Sequence, residues 1–370
     1  MELRNIGIAL SGGGIRAMIF HLGLFKWLSE NKMLKRVKKV SSVSGASLCV
    51  GMIYAHNALK WPTNDEFPVV LSSIMNALQT DLQLSAIRKL IFSPNYWNKK
   101  VNIIAKVLEN KWGVHGNLAQ LTGDTSWYVN CTTYETGKRF RFCKENMGDY
   151  IVGYVEKPNI PISEVMAASA GFPALIGPYS LKTGNYRWIT STRYPEKKWH
   201  FPANQTLHLW DGGVYDNFGL ESVFKFNDGG TLENDVDFLI VSNASASIDL
   251  QSRKSAMSFK NLKRILDISM DQVAALRSRT VMDFINRTRQ GMYVKIGNSA
   301  EMIAKASKCP YELKVQLIER CISAEQAIKA MNYATTLRKP AETDIQLLLR
   351  HGYEVADCTY TCYQKQKQKG

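Results

Sequence analysis

The fold is decided by a run of small residues at positions 41–47, with the sequence Ser-Ser-Val-Ser-Gly-Ala-Ser. An extended stretch precedes this run at Val37–Val40, and an apolar stretch that predicts a buried helix follows it at Leu48–Leu59. A strand, a tight turn and a buried helix form the context of a nucleophile elbow, whose pattern is G-x-S-x-G. In such a turn the serine hydroxyl projects at the helix N-terminus, where the helix dipole stabilises negative charge. The alignment predicts Ser44 as a nucleophile.

The elbow departs from its pattern at two positions. Ser42 and Ala46 stand where the pattern has glycine, and only Gly45 is glycine. Both positions keep small side chains, but neither has the freedom of glycine at positive φ. A plain loop with a serine N-cap is therefore an alternative interpretation of this stretch, and two further motifs decide between them.

A second strand–loop–helix unit lies near the N-terminus. Ile6–Leu10 predicts a short buried strand, and Ala17–Leu28 predicts a largely apolar helix. Between them, Gly12, Gly13 and Gly14 place backbone N–H groups at a helix N-terminus, which suits an oxyanion hole or a phosphate. The loop matches neither the P-loop pattern nor a complete G-x-G-x-x-G, so the common nucleotide-binding motifs are absent from the sequence. A purely structural glycine turn remains the alternative.

An acidic residue ends the predicted strand Thr206–Trp210. Asp211 is followed by Gly212 and Gly213, and this loop either carries a functional carboxylate or is a plain Asp-Gly turn. The next acid along the chain, Asp216, is a weaker alternative for the functional carboxylate. Together with Asn217 it is expected to hold the loop through side-chain hydrogen bonds to the backbone.

A Ser-His-Asp hydrolase would also need a histidine base. In the chain order of the α/β-hydrolases the histidine follows the acid, and only His351 does so here. His351 lies in a helical pattern beside Gly352 without a loop signature, so we interpret it as a surface or capping residue. Asp211 is therefore the better candidate for a direct base to Ser44.

Composition narrows the classes of partner. Lys and Arg number 47 against 32 Asp and Glu, and the net charge of +15 favours an anionic partner such as a phospholipid surface, a nucleotide or nucleic acid. Seven cysteines without a C-x-x-C pair predict reduced structural thiols rather than a disulfide framework or a zinc site. Neither a membrane-spanning segment nor a signal peptide is apparent, which predicts a cytoplasmic protein.

Strand and helix patterns alternate along the chain. This order predicts an α/β fold with a mainly parallel sheet, helices on both faces and reactive loops at the carboxyl ends of the strands. The stretch Pro62–Gly116 is helical, basic and rich in aromatic residues, which makes it a candidate lid. The long basic stretch Phe259–Arg289 predicts a helix with a solvated face, or alternatively an anion-binding face.

The order of the three motifs resembles that of the patatin-like phospholipases. The resemblance rests on the loop Gly12–Arg16, the elbow around Ser44 and the triplet Asp211–Gly213, and it extends to Ala168–Pro173 and Asp271–Arg277. It implies a three-layer α/β/α fold with a mainly parallel central sheet and additional C-terminal helices.

The resemblance also implies a domain organisation. A phospholipase domain is expected over residues 1–300, with a helical cap or insertion around 62–125. A C-terminal helical extension over 301–370 is expected to pack on the same domain and to end in a polar tail at 364–370.

The chemistry that the resemblance implies is ester hydrolysis by a Ser-Asp dyad without metal or cofactor. Ser44 attacks an ester carbonyl and Asp211 is its base. The amides of Gly13 and Gly14 stabilise the oxyanion, while Gly12 and Arg16 shape the loop.

Partners are implied in the same way. Membrane phospholipids are the expected substrate, with the protein peripheral at the inner face of the membrane when active. Some similar bacterial proteins are effectors of antiphage signalling that a cyclic nucleotide switches on, and such regulation usually involves homo-oligomerisation. Two alternatives remain: a non-catalytic nucleotide- or nucleic-acid-binding protein that uses the glycine loop and basic helices, although no specific nucleic-acid signature is present, and a degenerate, non-catalytic family member.

Overall fold

The computed structural model describes residues 5–82, 100–171, 177–190, 198–246 and 259–364. Three of the stretches named above fall partly outside these residues: the cap around 62–125 at residues 83–99, the stretch Ala168–Pro173 at residues 172–173, and the polar tail beyond residue 364. Among the described residues, no helix is long and apolar enough to cross a bilayer.

The strands in chain order are β1 (Ile6–Leu10), β2 (Val37–Val43), β3 (Ser126–Thr133), β4 (Arg139–Phe142), β5 (Asn146–Asp149), β6 (Gly153–Glu156), β7 (Tyr179–Lys182), β8 (Trp188–Ile189), β9 (Trp199–His200), β10 (Thr206–Asp211), β11 (Phe224–Lys225), β12 (Thr231–Leu232), β13 (Phe238–Asn243) and β14 (Gly291–Lys295). The helices are α1 (Gly14–Glu30), α2 (Gly45–Ala55), α3 (Phe67–Ala77), α4 (Lys100–Trp112), α5 (Ile162–Ser169), α6 (Gly213–Asp216), α7 (Phe259–Thr288), α8 (Ala300–Ala306), α9 (Tyr311–Arg320), α10 (Ala324–Met331) and α11 (Glu342–Gln364).

The centre of the main sheet is parallel. Strands β14, β13, β1, β2 and β3 lie side by side in that order and run in the same direction. Every residue of β1 and β13 is buried, because helices cover both faces and the two sequences are almost continuously apolar. Beyond β3 the strands β4, β5, β6, β8 and β9 add an antiparallel half. The predicted α/β fold with a mostly parallel core is confirmed, and β3 and β4 form an antiparallel hairpin.

The strand that carries Asp211 runs against the direction expected for a parallel sheet. Strand β10 pairs antiparallel with the end of β3, so that Asp211 lies opposite Cys131. Strand β2 pairs parallel with the start of β3, so that Val43 lies opposite Asn130. Because β4 occupies the other edge of β3 at these same positions, β2 and β10 share one edge and meet end to end. Their carboxyl ends therefore converge on one point.

The C-terminal helix α11 packs against α1 in close contact. A Cβ on Gly352 would lie 1.9 Å from the carbonyl oxygen of Phe20, and a Cβ on Gly23 would lie 2.2 Å from that of Leu349. His351, on the same helix, is buried and its Nε2 accepts a hydrogen bond from the Gly297 N–H, 2.9 Å away. A surface position for His351 is therefore wrong, because its ring is enclosed beside Phe20 at the α1–α11 contact.

Candidate active site

The turn between β2 and α2 holds Ser44 in an unusual backbone conformation. Its φ is 54° and its ψ is −122°, a combination that is strained for any residue with a side chain. Such strain costs about 1 to 3 kcal/mol and persists only where surrounding contacts fix it. The next residue must be glycine, because a Cβ on Gly45 would lie 2.0 Å from the carbonyl oxygen of Gly14. The stretch is therefore a sharp elbow rather than a plain capped loop.

A chain of buried serines fixes this elbow from below. The Ser44 N–H donates to the hydroxyl of Ser169 (3.0 Å), and Ser169 in turn donates to the carbonyl of Asn130 (2.8 Å). Ser47 lies 2.9 Å from Ser169 and 2.9 Å from Ser42, oxygen to oxygen. Ser42 and Ser47 are thus part of one hydrogen-bonded network, which accounts for a serine where the elbow pattern has glycine.

The remaining elbow positions are tightly packed. Ala46 is fully buried in the first turn of α2, and the Trp127 Nε1–H donates to the Ser42 hydroxyl (2.8 Å). The Asn130 side chain donates to the Ser42 carbonyl (3.0 Å) and to the Ser41 hydroxyl (2.9 Å). Asn130 and Ser169 were not among the predicted site residues, since nothing local in the sequence shows that they meet the elbow.

Asp211 lies at the meeting point of β2 and β10. It is 2% exposed, and its carboxylate accepts a hydrogen bond from the Gly213 N–H at 2.8 Å. The Ser44 hydroxyl is close enough to interact with this carboxylate and lowers its pKa, as the Gly213 N–H does, but burial is the larger effect and raises the pKa of Asp211 to about 6. A Cβ on Gly212 would lie 2.4 Å from the Asn130 carbonyl oxygen, so this loop packs directly on β3. The structure therefore brings the two predicted dyad residues into contact.

The glycine loop lies against the elbow. A Cβ on Gly12 would lie 2.9 Å from the Ser44 Cβ. The Gly12 N–H donates to the backbone oxygen (3.1 Å) and the side-chain oxygen (3.2 Å) of Asn217. By contrast, the N–H groups of Gly13 and Gly14 have no acceptor within the described part of the chain. Within these residues the two amides are not engaged, and they belong to the loop whose Gly12 lies beside Ser44.

Arg16 holds this loop from inside the protein. The side chain is buried, and its Nε–H donates to the Ala244 carbonyl (3.0 Å) while a terminal N–H donates to the Tyr333 carbonyl. Burial lowers the pKa of Arg16 to about 10, so the guanidinium remains charged at neutral pH. The Ile15 N–H donates to the Thr336 carbonyl (2.9 Å). Two segments that follow the elbow far along the chain therefore support the glycine loop.

A buried histidine supports the strand that leads into the loop. His21 is fully buried; its Nε2–H donates to the Ser11 carbonyl (2.9 Å), and its Nδ1 lies 3.0 Å from the Ser242 hydroxyl. Burial lowers the pKa of His21 to about 4, which keeps the ring neutral. His21 therefore acts on the loop's position and does not contact Ser44 or Asp211.

The carboxylate of the second acid, Asp216, is engaged by two backbone amides and one cation. Asp216 is 2% exposed and accepts from the backbone N–H groups of Phe218 (3.0 Å) and Leu220 (2.8 Å). Its carboxylate also pairs with the Arg277 guanidinium at 3.3 Å. The predicted loop-holding role of Asp216 and Asn217 is confirmed, and one cation of the long basic helix α7, Arg277, is partly buried in this pair instead of facing solvent fully.

The site offers a hydroxyl and one available carboxylate rather than a set of metal ligands. Across the described ranges, no group of three or more His, Cys, Asp or Glu side chains is arranged to hold a metal ion. The arrangement is a hydroxyl, an adjacent carboxylate and a glycine loop whose amides of Gly13 and Gly14 have no acceptor among the described residues, and such groups can serve acyl transfer.

Comparison with known proteins places these residues in a family. A family model described as patatin-like phospholipase matches residues 8–224. Human GIVD cytosolic phospholipase A2, solved with methyl gamma-linolenyl fluorophosphonate and terbium chloride, aligns over 98% of this chain and 60% of that chain at 13% identity, with a TM-score of 0.48. VipD from Legionella pneumophila aligns over 94% and 67%, respectively, at 12% identity and a TM-score of 0.35. The chain thus spans less than two thirds of the human phospholipase, and no curated protein matches it in sequence.

Proposed function

Because the chain belongs to the patatin-like phospholipase family, we propose that it is a lipid acyl hydrolase that cleaves phospholipid esters through a dyad of Ser44 and Asp211. The observation that carries this proposal is the contact between the Ser44 hydroxyl and the buried Asp211 carboxylate at a strained elbow. Backbone strain persists mainly at functional sites. A serine with a purely structural role would not require a strained backbone or a side chain directed at a buried carboxylate that has no cation beside it among the described residues.

Asp211 acts as the general base in the first step. It takes the hydroxyl proton as the Ser44 oxygen attacks the ester carbonyl carbon, and it later gives that proton to the departing alcohol. The acyl group is then held on Ser44 until a water molecule, activated by the same carboxylate, releases it as a fatty acid. With a pKa near 6, Asp211 is mostly ionised at neutral pH and is a stronger base than an exposed aspartate.

The glycine loop supplies the oxyanion hole. The negative oxygen of the tetrahedral intermediate forms at Ser44, next to the glycine loop, and the N–H groups of Gly13 and Gly14 in this loop have no acceptor among the residues that the structure describes. Loss of one such donor costs about 3 to 4 kcal/mol of transition-state stabilisation. Gly12, whose own N–H is taken by Asn217, and Arg16 set the position of the loop.

Phospholipid is the proposed substrate class. The net charge of +15 favours association with an anionic bilayer, since each basic residue near such a surface contributes about 1 kcal/mol. Activation by a cyclic nucleotide, a role in antiphage defence and homo-oligomerisation remain predictions from the family resemblance. They enter the experiment below as separate conditions.

The test is fatty-acid release from mixed phospholipid vesicles. Wild type is compared with Ser44→Ala and Asp211→Asn, and with two matched controls, Ser72→Ala and Asp124→Asn, which change exposed residues of the same types. Each protein is assayed alone and with a panel of cyclic di- and trinucleotides.

We expect wild type and both control variants to release fatty acid, and Ser44→Ala and Asp211→Asn to release none. Release that appears only with one nucleotide would establish gated activation as well. Absence of release in every condition, with salt-sensitive nucleotide or nucleic-acid binding that Ser44→Ala leaves unchanged, would replace the hydrolase with a binding protein.

A further inference from the structure

Four of the seven cysteines meet in pairs on the C-terminal helices, away from the proposed dyad. The Sγ atoms of Cys321 and Cys358 are 3.3 Å apart, and the thiol of Cys362 contacts that of Cys309. Cys358 and Cys362 are four residues apart on α11 and therefore lie on one face of that helix. All of these cysteines are free thiols.

The first pair is reachable from solvent. Cys321 is half-buried and lines a surface groove of about 520 Å³ together with Lys26, Arg320, Arg350 and Tyr353. Cys358 lies behind it and is buried. A small molecule in the groove can therefore reach Cys321, which lines it, whereas Cys358 does not line the groove and is 1% exposed.

The pKa values of the two thiols are shifted in opposite directions, and the shifts favour reaction at Cys321 before Cys358. The hydrogen bond from Cys358 lowers the pKa of Cys321, whereas that interaction and burial raise the pKa of Cys358. A thiolate attacks a disulfide and a thiol does not, so Cys321 is the thiol that reacts with an incoming disulfide.

We propose that Cys321 and Cys358 are a modification site that a small-molecule disulfide, such as glutathione disulfide, converts into a disulfide bond. The Cys321 thiolate attacks one sulfur of glutathione disulfide and expels one glutathione. Cys358 then loses its proton and attacks the Cys321 sulfur of the mixed disulfide, which expels the second glutathione. Two protein thiols are oxidised and one glutathione disulfide is reduced to two glutathiones.

The bond would enclose a segment that supports the glycine loop. Residues 322–357 lie between the two cysteines and include Tyr333 and Thr336, whose carbonyls accept from Arg16 and Ile15. Closing this segment restricts the unfolded chain, so the oxidised protein is expected to unfold at a higher temperature than the reduced one.

The experiment exposes fully reduced protein to glutathione redox buffers of increasing oxidation. Free thiols are then alkylated, and the linked peptides are mapped by mass spectrometry. The variants are Cys321→Ser, Cys358→Ser and the matched control Cys143→Ser, a buried cysteine on another part of the sheet. Serine preserves the size of each side chain, and a thermal melt of each variant checks that it is folded.

Wild type and Cys143→Ser are expected to yield a peptide pair linked through Cys321 and Cys358, with the loss of two hydrogens. Cys358→Ser is expected to stop at a stable mixed disulfide of glutathione with Cys321, and Cys321→Ser to leave Cys358 unmodified. The proposal is overturned if folded wild type forms no Cys321–Cys358 link in any buffer, whether other cysteines pair or not. These readouts use no substrate, so they do not depend on the proposed hydrolase.

Discussion

Two buried aspartates five residues apart on one loop have opposite surroundings. Asp211 and Asp216 are each 2% exposed, and burial raises the pKa of both carboxyl groups. Asp216 is neutralised by the Arg277 guanidinium and by two backbone amides. Among the described residues, Asp211 interacts with the Ser44 hydroxyl and accepts from one amide, that of Gly213, and it forms no ion pair.

The difference shows how one loop can contain both a structural and a reactive acid. A cation beside a buried carboxylate offsets the cost of its charge and fixes it in place. Burial raises the pKa of both carboxyl groups, but Arg277 opposes the rise at Asp216, whereas no cation is among the groups that oppose it at Asp211, where the Ser44 hydroxyl and the Gly213 N–H do so. The contrast between the two acids can be tested by changing each of them in the same way.

The largest expected effect is on activity. Asp211→Asn should lower kcat toward a soluble ester roughly 10² to 10⁴-fold, because the general base is lost while the shape of the side chain is kept. Asp216→Asn should retain activity within about tenfold where it is folded, because Asp216 does not contact Ser44. Steady-state kinetics on both variants measure this, and equal losses in the two would remove the distinction between the acids.

Asp216→Asn should affect the stability of the protein more than its activity. Asp216→Asn leaves the partly buried Arg277 with Glu221 as its remaining acid, and leaves two backbone amides to share one oxygen. We expect the free energy of unfolding to fall by roughly 3 kcal/mol. Urea denaturation at pH 8 measures it, with Asp124→Asn as the exposed control. A loss no larger than that of the control would contradict the structural role.

Replacing Asp211 should, by contrast, increase the free energy of unfolding. Because the folded pKa of Asp211 is raised to about 6 from 3.8, its contribution makes the folded state less stable as the pH rises between these two values. Asp211→Asn removes this buried charge and should raise the free energy of unfolding at pH 8 by about 1 to 3 kcal/mol. The gain should vanish near pH 4, and a gain that is independent of pH would contradict the assigned cause.

The same pKa sets the acid limb of activity. The base must be ionised, so kcat/KM should fall about tenfold per pH unit below a midpoint near pH 6. Asp216→Asn should leave this midpoint unchanged. A pH–rate profile on a neutral soluble ester gives the result, and a midpoint near 4 in the wild type would mean that the titrating group is not the buried carboxylate.

The smallest expected effect is at the support of the elbow. Ser169→Ala leaves the Ser44 N–H without its acceptor, at a cost of about 1 to 3 kcal/mol in stability. A several-fold fall in kcat should accompany it, because Ser44 loses one of the contacts that fix its strained turn. Ser72→Ala on the exposed face of α3 is the control. No change in either quantity would show that the strained turn does not depend on Ser169.

Local patterns were enough to predict much of the fold. The strand–turn–helix order around Ser44, the buried strand Ile6–Leu10 and the apolar helix after it follow from apolar periodicity and glycine, and the structure has them. The site contacts that were missed depend on partners far apart in the chain. Ser169 reaches Ser44 across 125 residues, and Arg16 reaches Ala244 across 228.

The antiparallel pairing of β10 with β3 could not be predicted either, because it also joins residues far apart in the chain. Strand–helix alternation favours parallel pairing, and nothing within Thr206–Asp211 indicates that it meets β2 end to end on the edge of β3. His351 was also misplaced, because its burial depends on the crossing of α1 and α11 and not on its own neighbours in sequence.

Covalent labelling with a fluorophosphonate, a reagent that reacts with activated serines, tests the activation of Ser44 by Asp211 most directly. We expect one label per chain, mapped by mass spectrometry to the peptide that contains Ser44. Labelling should be absent in Ser44→Ala, much slower in Asp211→Asn and unchanged in Asp216→Asn. A label on another serine, or a rate at Ser44 that Asp211→Asn leaves unchanged, would contradict the claim that Asp211 activates Ser44.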